Sequence, residues 1–293
     1  MADLLSTWLT TDNTIDPDTV ATWECYARRY CEHFPTLADV TEATATSYRG
    51  KRLGQVQATT VRKELSTLRR FLRWCKLHNY LHRDVVVPGV PAKATGTKYG
   101  QRRRVAAGEL TPGHVAAFLA ALPEWSTSRK VEAFPIRSRF IFAYETGLRP
   151  GALDVLSVPE HWQPGSGTLR LTDDADKIRW GREIPLTQAA QAALTVAAPE
   201  AGLIFGAHDY REHVAKAAAT SMPAHLAATF TGAHLRSAIT THELEASGNL
   251  LGVQYLRGHK QATTTAKYAR ASMRAALAVH NRGRSQNIGD GSK

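Results

Sequence analysis

Five residues in the second half of the chain combine side chains that are suited to phosphate chemistry. They are Arg149, Lys177, Arg236, His259 and Tyr268. Two guanidinium groups can hold the oxygens of a phosphodiester through paired, charge-assisted hydrogen bonds. A tyrosine hydroxyl can act as a nucleophile, and a lysine or histidine can exchange a proton with the reacting groups. Together these residue types could open a phosphodiester bond.

Each of these residues has an ordinary structural interpretation when it is taken alone. Arg149 could cap a turn after a glycine, and Lys177 in a hairpin is typical of a solvated side chain. His259 follows a glycine that could end a helix, and Tyr268 could be one more core tyrosine. Arg236 fits a structural role least well, because it lies on an otherwise apolar helix and a buried arginine needs an anionic partner.

The order of the motifs is more specific than any single residue. The sequence reads Thr-Gly-Leu-Arg149, a hairpin lysine, Gly-Ala-His-Leu-Arg236, and Gly-His259 with Tyr268 nine residues later. This series resembles the tyrosine recombinase (phage integrase) family, whose signature is Thr-Gly-Leu-Arg, a hairpin lysine, His-x-x-Arg, Leu-Gly-His and a tyrosine nine residues on. Residues 59–81 also resemble the last long helix of that family's core-binding domain, so the resemblance covers nearly the whole chain.

The resemblance implies a site-specific recombinase or integrase that cuts and rejoins DNA through a covalent 3′-phosphotyrosine. It assigns the nucleophile to Tyr268 and the binding of the non-bridging oxygens to Arg149 and Arg236. It makes Lys177 the general acid for the departing 5′ oxygen, and it gives His259 a hydrogen bond to a phosphate oxygen or to the tyrosine. The phosphotyrosine conserves the bond energy, so the resemblance implies no cofactor and no metal ion.

Two positions depart from the family pattern. The position three residues after Arg149 is usually Glu or Asp in that family, whereas this chain has Ala152, and Asp154 lies off that helical face. The His-x-x-Arg motif places a histidine at position 233, where this chain has Ala233. His234 is one residue late and is expected to point elsewhere on the helix.

Two alternatives therefore stay open beside an active recombinase. The first is a catalytically impaired recombinase-like protein that binds DNA without cutting it. The second is a relative of the type IB topoisomerases or telomere resolvases, which use the same covalent chemistry. A covalent protein–DNA adduct would exclude the first, and relaxation of supercoils without a specific site would favour the second.

The charge of the chain points to a polyanionic partner. The 293 residues carry a formal net charge of +11 and have a pI near 9.8, which favours nucleic acid over an anionic membrane. No signal peptide and no apolar run of about 20 residues is apparent. The three cysteines have neither disulfide-framework nor zinc spacing and are expected to be reduced. These observations predict a cytoplasmic, nucleoid-associated protein.

The N-terminal third is expected to be helical and to contact DNA. Helices are predicted from about residue 20 to 34, from after Thr41 to about Leu53, and from Thr60 to Tyr80. The last of these has one apolar stripe and places six cations, opposed only by Glu64, on its remaining faces. The predicted DNA-binding cations of this helix are Arg62, Lys63, Arg69, Arg70, Arg73 and Lys76.

The remaining pattern predicts two domains. We expect a helical core-binding domain over residues 1–87, a basic linker over 88–107, a catalytic domain over 108–285 and a flexible tail over 286–293. The linker ends in three more candidate DNA-binding cations, Arg102, Arg103 and Arg104.

In the catalytic domain, segments 168–172 and 178–186 predict an antiparallel hairpin, with 173–176 as turn material between them. Thr111 is expected to cap a helix, and Gly248 and Gly258 are expected to end two later helices. The fold class is thus mainly α with a small antiparallel β-sheet, in a two-domain DNA clamp of the tyrosine recombinase type. The family assembles four protomers on two specific double-stranded DNA sites. The resemblance therefore implies a homotetramer in which apolar residues after Tyr268 dock onto a neighbour.

Overall fold

The computed structural model describes residues 1–91, 109–126 and 133–269. The chain divides into two compact units, Met1–Gln101 and Arg102–Lys293. The predicted cations of the linker and the apolar residues after Tyr268 lie outside the described residues. The predicted domain boundaries stay a prediction, because most of the predicted linker, residues 88–107, lies outside the described residues.

The first unit is helical, and its second, third and fourth helices lie in the segments where the sequence predicts helices. Its helices are α1 (Ala2–Thr11), α2 (Pro17–His33), α3 (Glu42–Leu53) and α4 (Ala58–Leu77). The side chain of Thr41 accepts a hydrogen bond from the first turn of α3, which confirms the predicted start of that helix. Helix α4 ends three residues earlier than predicted, because Asn79 adopts a left-handed backbone conformation with φ of 60°.

A buried carboxylate lies at the centre of the first unit. Glu64 of α4 is fully buried and forms ion pairs with Arg29 and Arg52, at 3.2 and 2.7 Å. Tyr48 donates a further hydrogen bond of 3.0 Å to the same carboxylate. Glu64, the one acid among the cations of α4, thus pairs with arginines of α2 and α3 and not with the cations of its own helix. The carboxylate points into the core, where it needs these partners because an unpaired buried charge is costly.

The second unit is also mainly helical. Its helices are α5 (Pro112–Ala121), α6 (Arg137–Thr146), α7 (Pro150–Val155), α8 (Gln188–Ala197), α9 (Arg211–Ser221), α10 (Ala224–Ala227), α11 (Ala233–Ser247), α12 (Leu250–Arg257) and α13 (Ala262–Ala266). Thr111 caps α5, and Gly248 and Gly258 end α11 and α12 with φ of 65° and 59°. All three predicted helix boundaries are confirmed.

The strands of the second unit pair in two short antiparallel ladders. Strand β1 (Ser157–Val158) pairs with β4 (Gly202–Leu203), and β2 (Thr168–Leu171) pairs with β3 (Arg182–Pro185). The predicted hairpin is confirmed, but its second strand begins at residue 182 instead of 178. Arg179 has a left-handed φ of 50°, which is incompatible with continuing the strand at that point.

Helix α6 lies between two apolar clusters of the second unit. Phe142 packs into the cluster formed around β2, β3 and α8, whereas Phe140 packs into the cluster formed by α5, α9 and α11. The end of α6 is therefore fixed from both sides. Within the described residues, every helix is too short or too polar to cross a bilayer.

Candidate active site

The segment that carries Arg149 is a tight connection between two helices. Helix α6 ends at Gly147, which has a left-handed φ of 60°, and Arg149 is the residue that precedes α7. The bare Cα of Gly147 faces the guanidinium of Arg257, and a side chain there would collide with it. The glycine of the Thr-Gly-Leu-Arg motif is thus required both by its backbone conformation and by a close approach.

Arg236 extends from α11 to the end of this connection. Its guanidinium donates hydrogen bonds of 2.5 Å to the carbonyl oxygens of Gly147 and Arg257 and one of 3.1 Å to Nε2 of His259. Burial, followed by the charges of Arg149 and Arg257, lowers the pKa of Arg236 to about 9. The group is still charged at neutral pH, yet no carboxylate among the described residues contacts it.

His259 is buried and neutral. Because a guanidinium can only donate, Nε2 of His259 must accept the hydrogen bond from Arg236. The ring proton is therefore assigned to Nδ1, which donates to Oγ1 of Thr265 at 2.8 Å. Burial and the nearby charge of Arg236 lower the pKa of His259 to about 4. The ring can thus accept a hydrogen bond at the site throughout the neutral pH range.

Tyr268 lies directly beside this histidine. Its ring stacks on the ring of His259, with a centroid separation of 6.2 Å and an angle of 12° between the planes. The backbone N–H of Tyr268 donates to the carbonyl of Thr265 at 2.9 Å, so the turn that follows α13 fixes its position. The Tyr268 side chain is partly exposed and thus open to a substrate.

The hairpin contributes a carboxylate that sequence interpretation missed. Asp176 is only 3% exposed, and its carboxylate contacts Arg149 at 3.2 Å and Arg182 at 2.5 Å. In the sequence, Asp176 belongs to the segment 173–176, which is predicted only as turn material between the two strands. The next residue, Lys177, is exposed in the same turn.

A fourth arginine is buried against the glycine of the Thr-Gly-Leu-Arg motif. Arg257 is 1% exposed, forms an ion pair with Glu243 and donates to the carbonyl of Thr146. Arg257 occupies the leucine position of the family's Leu-Gly-His motif. The partner Glu243 could not be found, because the pair joins two helices and no local pattern connects them.

The charges of the four arginines at the site and of the carboxylates that contact them do not cancel. Asp176 is shared by Arg149 and Arg182, and Glu243 pairs with Arg257, which leaves Arg236 without a carboxylate. At this site, two carboxylates thus pair with three of the four guanidinium groups, Arg149, Arg182 and Arg257. Arg149 and Arg236 are the two that stay partly exposed, so the excess positive charge can be reached by an anion.

The histidine that the resemblance expects at position 233 is absent. His234 instead accepts a hydrogen bond of 2.9 Å from the backbone N–H of Thr231 and packs near Phe230. Ala233 is exposed at the first turn of α11 and borders a cavity of about 460 Å³ that is also lined by Arg236. A larger side chain at position 233 therefore has space.

The acid that the resemblance expects on α7 is also absent. Ala152 is buried, and Asp154 forms an ion pair of 2.5 Å with Arg139. No carboxylate of α7 thus contacts Arg149, in agreement with the interpretation of Asp154 as a poor substitute.

The predicted DNA-binding cations of α4 differ in their surroundings. Arg70 pairs with Asp12 at 3.5 Å, and Lys76 pairs with Asp84 at 2.5 Å. Arg62 and Arg69 donate to backbone carbonyls, which leaves their charge uncompensated. The remaining two, Lys63 and Arg73, are exposed and form no hydrogen bond or ion pair within residues 1–91.

The fold is that of the tyrosine recombinases. The integrase of transposon Tn1549 in complex with a circular intermediate DNA matches with a TM-score of 0.69 at 16% identity, covering 96% of this chain and 98% of that one. A lambda integrase dimer bound to a COC′ core site matches with a TM-score of 0.64 at 17% identity, covering 94% and 96%. XerH recombinase bound to difH matches with a TM-score of 0.63 at 14% identity, covering 94% and 84%. No family model and no curated protein matches the sequence.

Proposed function

We propose that this protein is a site-specific DNA recombinase that cuts and rejoins DNA through a covalent 3′-phosphotyrosine on Tyr268. The observation that carries the proposal is Arg236, a half-buried guanidinium that no described carboxylate contacts and that lies within hydrogen-bond distance of His259. A scissile phosphate is an anion of suitable size and geometry to compensate this charge. The solved structures that share the fold are recombinases and integrases bound to DNA.

In the proposed reaction, the phenol oxygen of Tyr268 attacks the scissile phosphorus and the bond from phosphorus to the 5′ oxygen breaks. Arg149 and Arg236 stabilise the charge that develops on the non-bridging oxygens. Lys177 donates a proton to the departing 5′ oxygen, and the phenol proton passes to solvent or a nearby base. Religation reverses these steps, with a 5′ hydroxyl attacking the phosphotyrosine.

The neutral His259 supports the geometry of this reaction. Its Nε2 accepts from Arg236, which fixes one guanidinium, and its ring stacks on Tyr268, which fixes the nucleophile. We infer that His259 positions both groups and contributes no charge of its own.

The proposal extends to the substrate and the assembly. The cations of α4 and of the linker would contact the backbone of double-stranded DNA, and four protomers would assemble on two DNA sites. Support comes from the net charge of +11 and from the DNA-bound structures that share the fold.

A nicked duplex of the cognate site tests the proposed reaction, because loss of a short cleaved fragment traps the adduct. We expect the chain to form a covalent complex that migrates more slowly in a denaturing gel. Tyr268→Phe should still bind the duplex and form no adduct, because the ring remains and the nucleophile is lost. An adduct that persists in Tyr268→Phe would show that another residue attacks, and relaxation of any supercoiled plasmid would indicate a topoisomerase.

A protein that binds DNA without cutting it is the second candidate, and Ala233 is the observation that favours it. A well-placed acid–base group contributes about 10²–10⁴-fold to such reactions. We therefore expect the chain to cleave slowly and Ala233→His to raise the rate of adduct formation by at least about 10²-fold with unchanged DNA affinity. The control is His234→Ala. If His234→Ala loses cleavage and Ala233→His gains nothing, His234 is the functional histidine.

A further inference from the structure

We propose that Asp176 is a positioning residue, which holds the guanidinium of Arg149 ready for the scissile phosphate and ties it to the hairpin that carries Lys177. The inference rests on the function proposed above and deepens it. It concerns a residue that sequence interpretation assigned to a solvated turn.

The carboxylate of Asp176 is held by three donors. Nη1 of Arg149 lies 3.2 Å from Oδ1, and Nη1 of Arg182 lies 2.5 Å from Oδ2. The backbone N–H of Ile178 donates to Oδ1 at 3.3 Å. Because both oxygens are engaged and the residue is 3% exposed, the carboxylate presents a fixed acceptor to Arg149.

The second arginine of this network is itself immobilised. Arg182 donates to the carbonyl of Trp180 at 3.0 Å, and its guanidinium lies over the Trp180 ring. It also packs against the bare Cα of Gly258, where any side chain would collide with it. Asp176 thus connects Arg149 to the hairpin and, through Arg182, to the glycine that precedes His259.

Arg149 needs such a partner because nothing else in the described residues orients its side chain. It precedes α7 and is 28% exposed, and Ala152 on that helix has no polar atom in its side chain. A flexible arginine loses rotamer entropy when it is fixed. A carboxylate that fixes it before the substrate binds removes this cost from the reaction.

The test compares Asp176→Asn with Asp174→Asn, a matched control that removes the same charge from an exposed position of the same turn. Formation of the covalent adduct on a nicked duplex is followed in a single turnover. We expect Asp176→Asn to slow it by on the order of 10²-fold, because a displacement of about 1 Å at a reacting group has effects of that size. Asp174→Asn should react like the unaltered chain, and equal rates for all three would overturn the proposal.

A substrate with a bridging sulfur at the 5′ position separates positioning of Arg149 from positioning of Lys177. Sulfur is a better leaving group, so this substrate should restore much of the rate that Lys177→Ala loses. It should restore little of the rate that Asp176→Asn loses, because that defect concerns the non-bridging oxygens. Recovery of Asp176→Asn on the sulfur substrate would mean that Asp176 acts through Lys177, and the proposal would be wrong.

A second measurement does not require cleavage. The Nε–H signal of Arg149, assigned by comparison with Arg149→Lys, reports the mobility of its guanidinium by NMR. Asp176→Asn should make Arg149 more mobile and leave Arg236 unchanged, and an unchanged Arg149 signal would overturn the proposal. If even Ala233→His forms no adduct on either substrate, the recombinase function fails, and this measurement alone then decides whether Asp176 positions Arg149.

Discussion

Each unit of this chain contains buried charges, but the two clusters are built in opposite ways. In the first unit, the carboxylate of Glu64 is surrounded by Arg29, Arg52 and the hydroxyl of Tyr48. In the second unit, Asp176 and Glu243 pair with Arg149, Arg182 and Arg257, whereas Arg236 contacts no described carboxylate. Every charged group of the first cluster has an oppositely charged partner, whereas Arg236 of the second cluster has none among the described residues.

This difference separates a structural role from a ligand-binding role. A buried charge that is fully paired contributes to a unique fold and requires no further partner. A buried cation without a carboxylate is costly unless an external anion compensates it. This difference supports the proposal that the second cluster binds an anion, and removing one charge from each cluster tests it.

The largest effect is expected for Arg236→Gln. The variant removes the uncompensated charge, so adduct formation should fall by on the order of 10²–10³-fold, as for other electrostatic groups that stabilise a transition state. Its free energy of unfolding should fall by less than that of a variant in the first cluster. Single-turnover adduct assays and urea unfolding measure the two effects. A rate within a few-fold of the unaltered chain would contradict the assignment of Arg236.

The matched change in the first cluster is Glu64→Gln. It leaves Arg52 buried without a carboxylate, and breaking such a pair costs about 3–5 kcal/mol. We expect unfolding of the first unit at lower urea concentration, while the rate of adduct formation by the folded protein stays unchanged. Unaltered stability would show that the Glu64 cluster is not a closed structural unit.

The smallest effect concerns the exposed cations of α4. Lys63→Ala and Arg73→Ala should each make the slope of log affinity for DNA against log salt concentration shallower by about 0.9, the value for one lost phosphate contact. Lys76→Ala should change the slope less, because Asp84 already compensates Lys76. Equal changes for all three variants would mean that the pairs within the protein open when DNA binds.

Local signals in the sequence predicted much of the fold. Thr41 and Thr111 cap the helices that they were expected to cap, and Gly248 and Gly258 end α11 and α12 in left-handed conformations. These features depend on neighbours within four residues, so a single sequence contains them. The ends of α4 and β3 were misplaced because left-handed conformations at Asn79 and Arg179 give no clear signal in the sequence.

The candidate site was predictable only in part, because the contacts that support it join residues far apart in the sequence. The order of the motifs indicated Arg149, Arg236, His259 and Tyr268, and the described structure brings these residues together. The residues that support them interact over long separations, such as Arg257 with Thr146, 111 positions apart in the chain. Such contacts depend on tertiary packing, and nothing in the local pattern distinguishes Asp176 from a solvated turn residue.

The central claim, that the cluster around Arg236 is an anion site, is tested most directly by the stability of the full chain in inorganic phosphate. This measurement requires no knowledge of the DNA target. An anion that binds only the folded state stabilises it by about 2.7 kcal/mol at 100 times its dissociation constant. At constant ionic strength, phosphate in place of chloride should stabilise the unaltered chain and Glu64→Gln, and it should stabilise Arg236→Gln less, because only the general effect of phosphate on folded proteins then remains. Equal stabilisation of Arg236→Gln and the unaltered chain would contradict the claim.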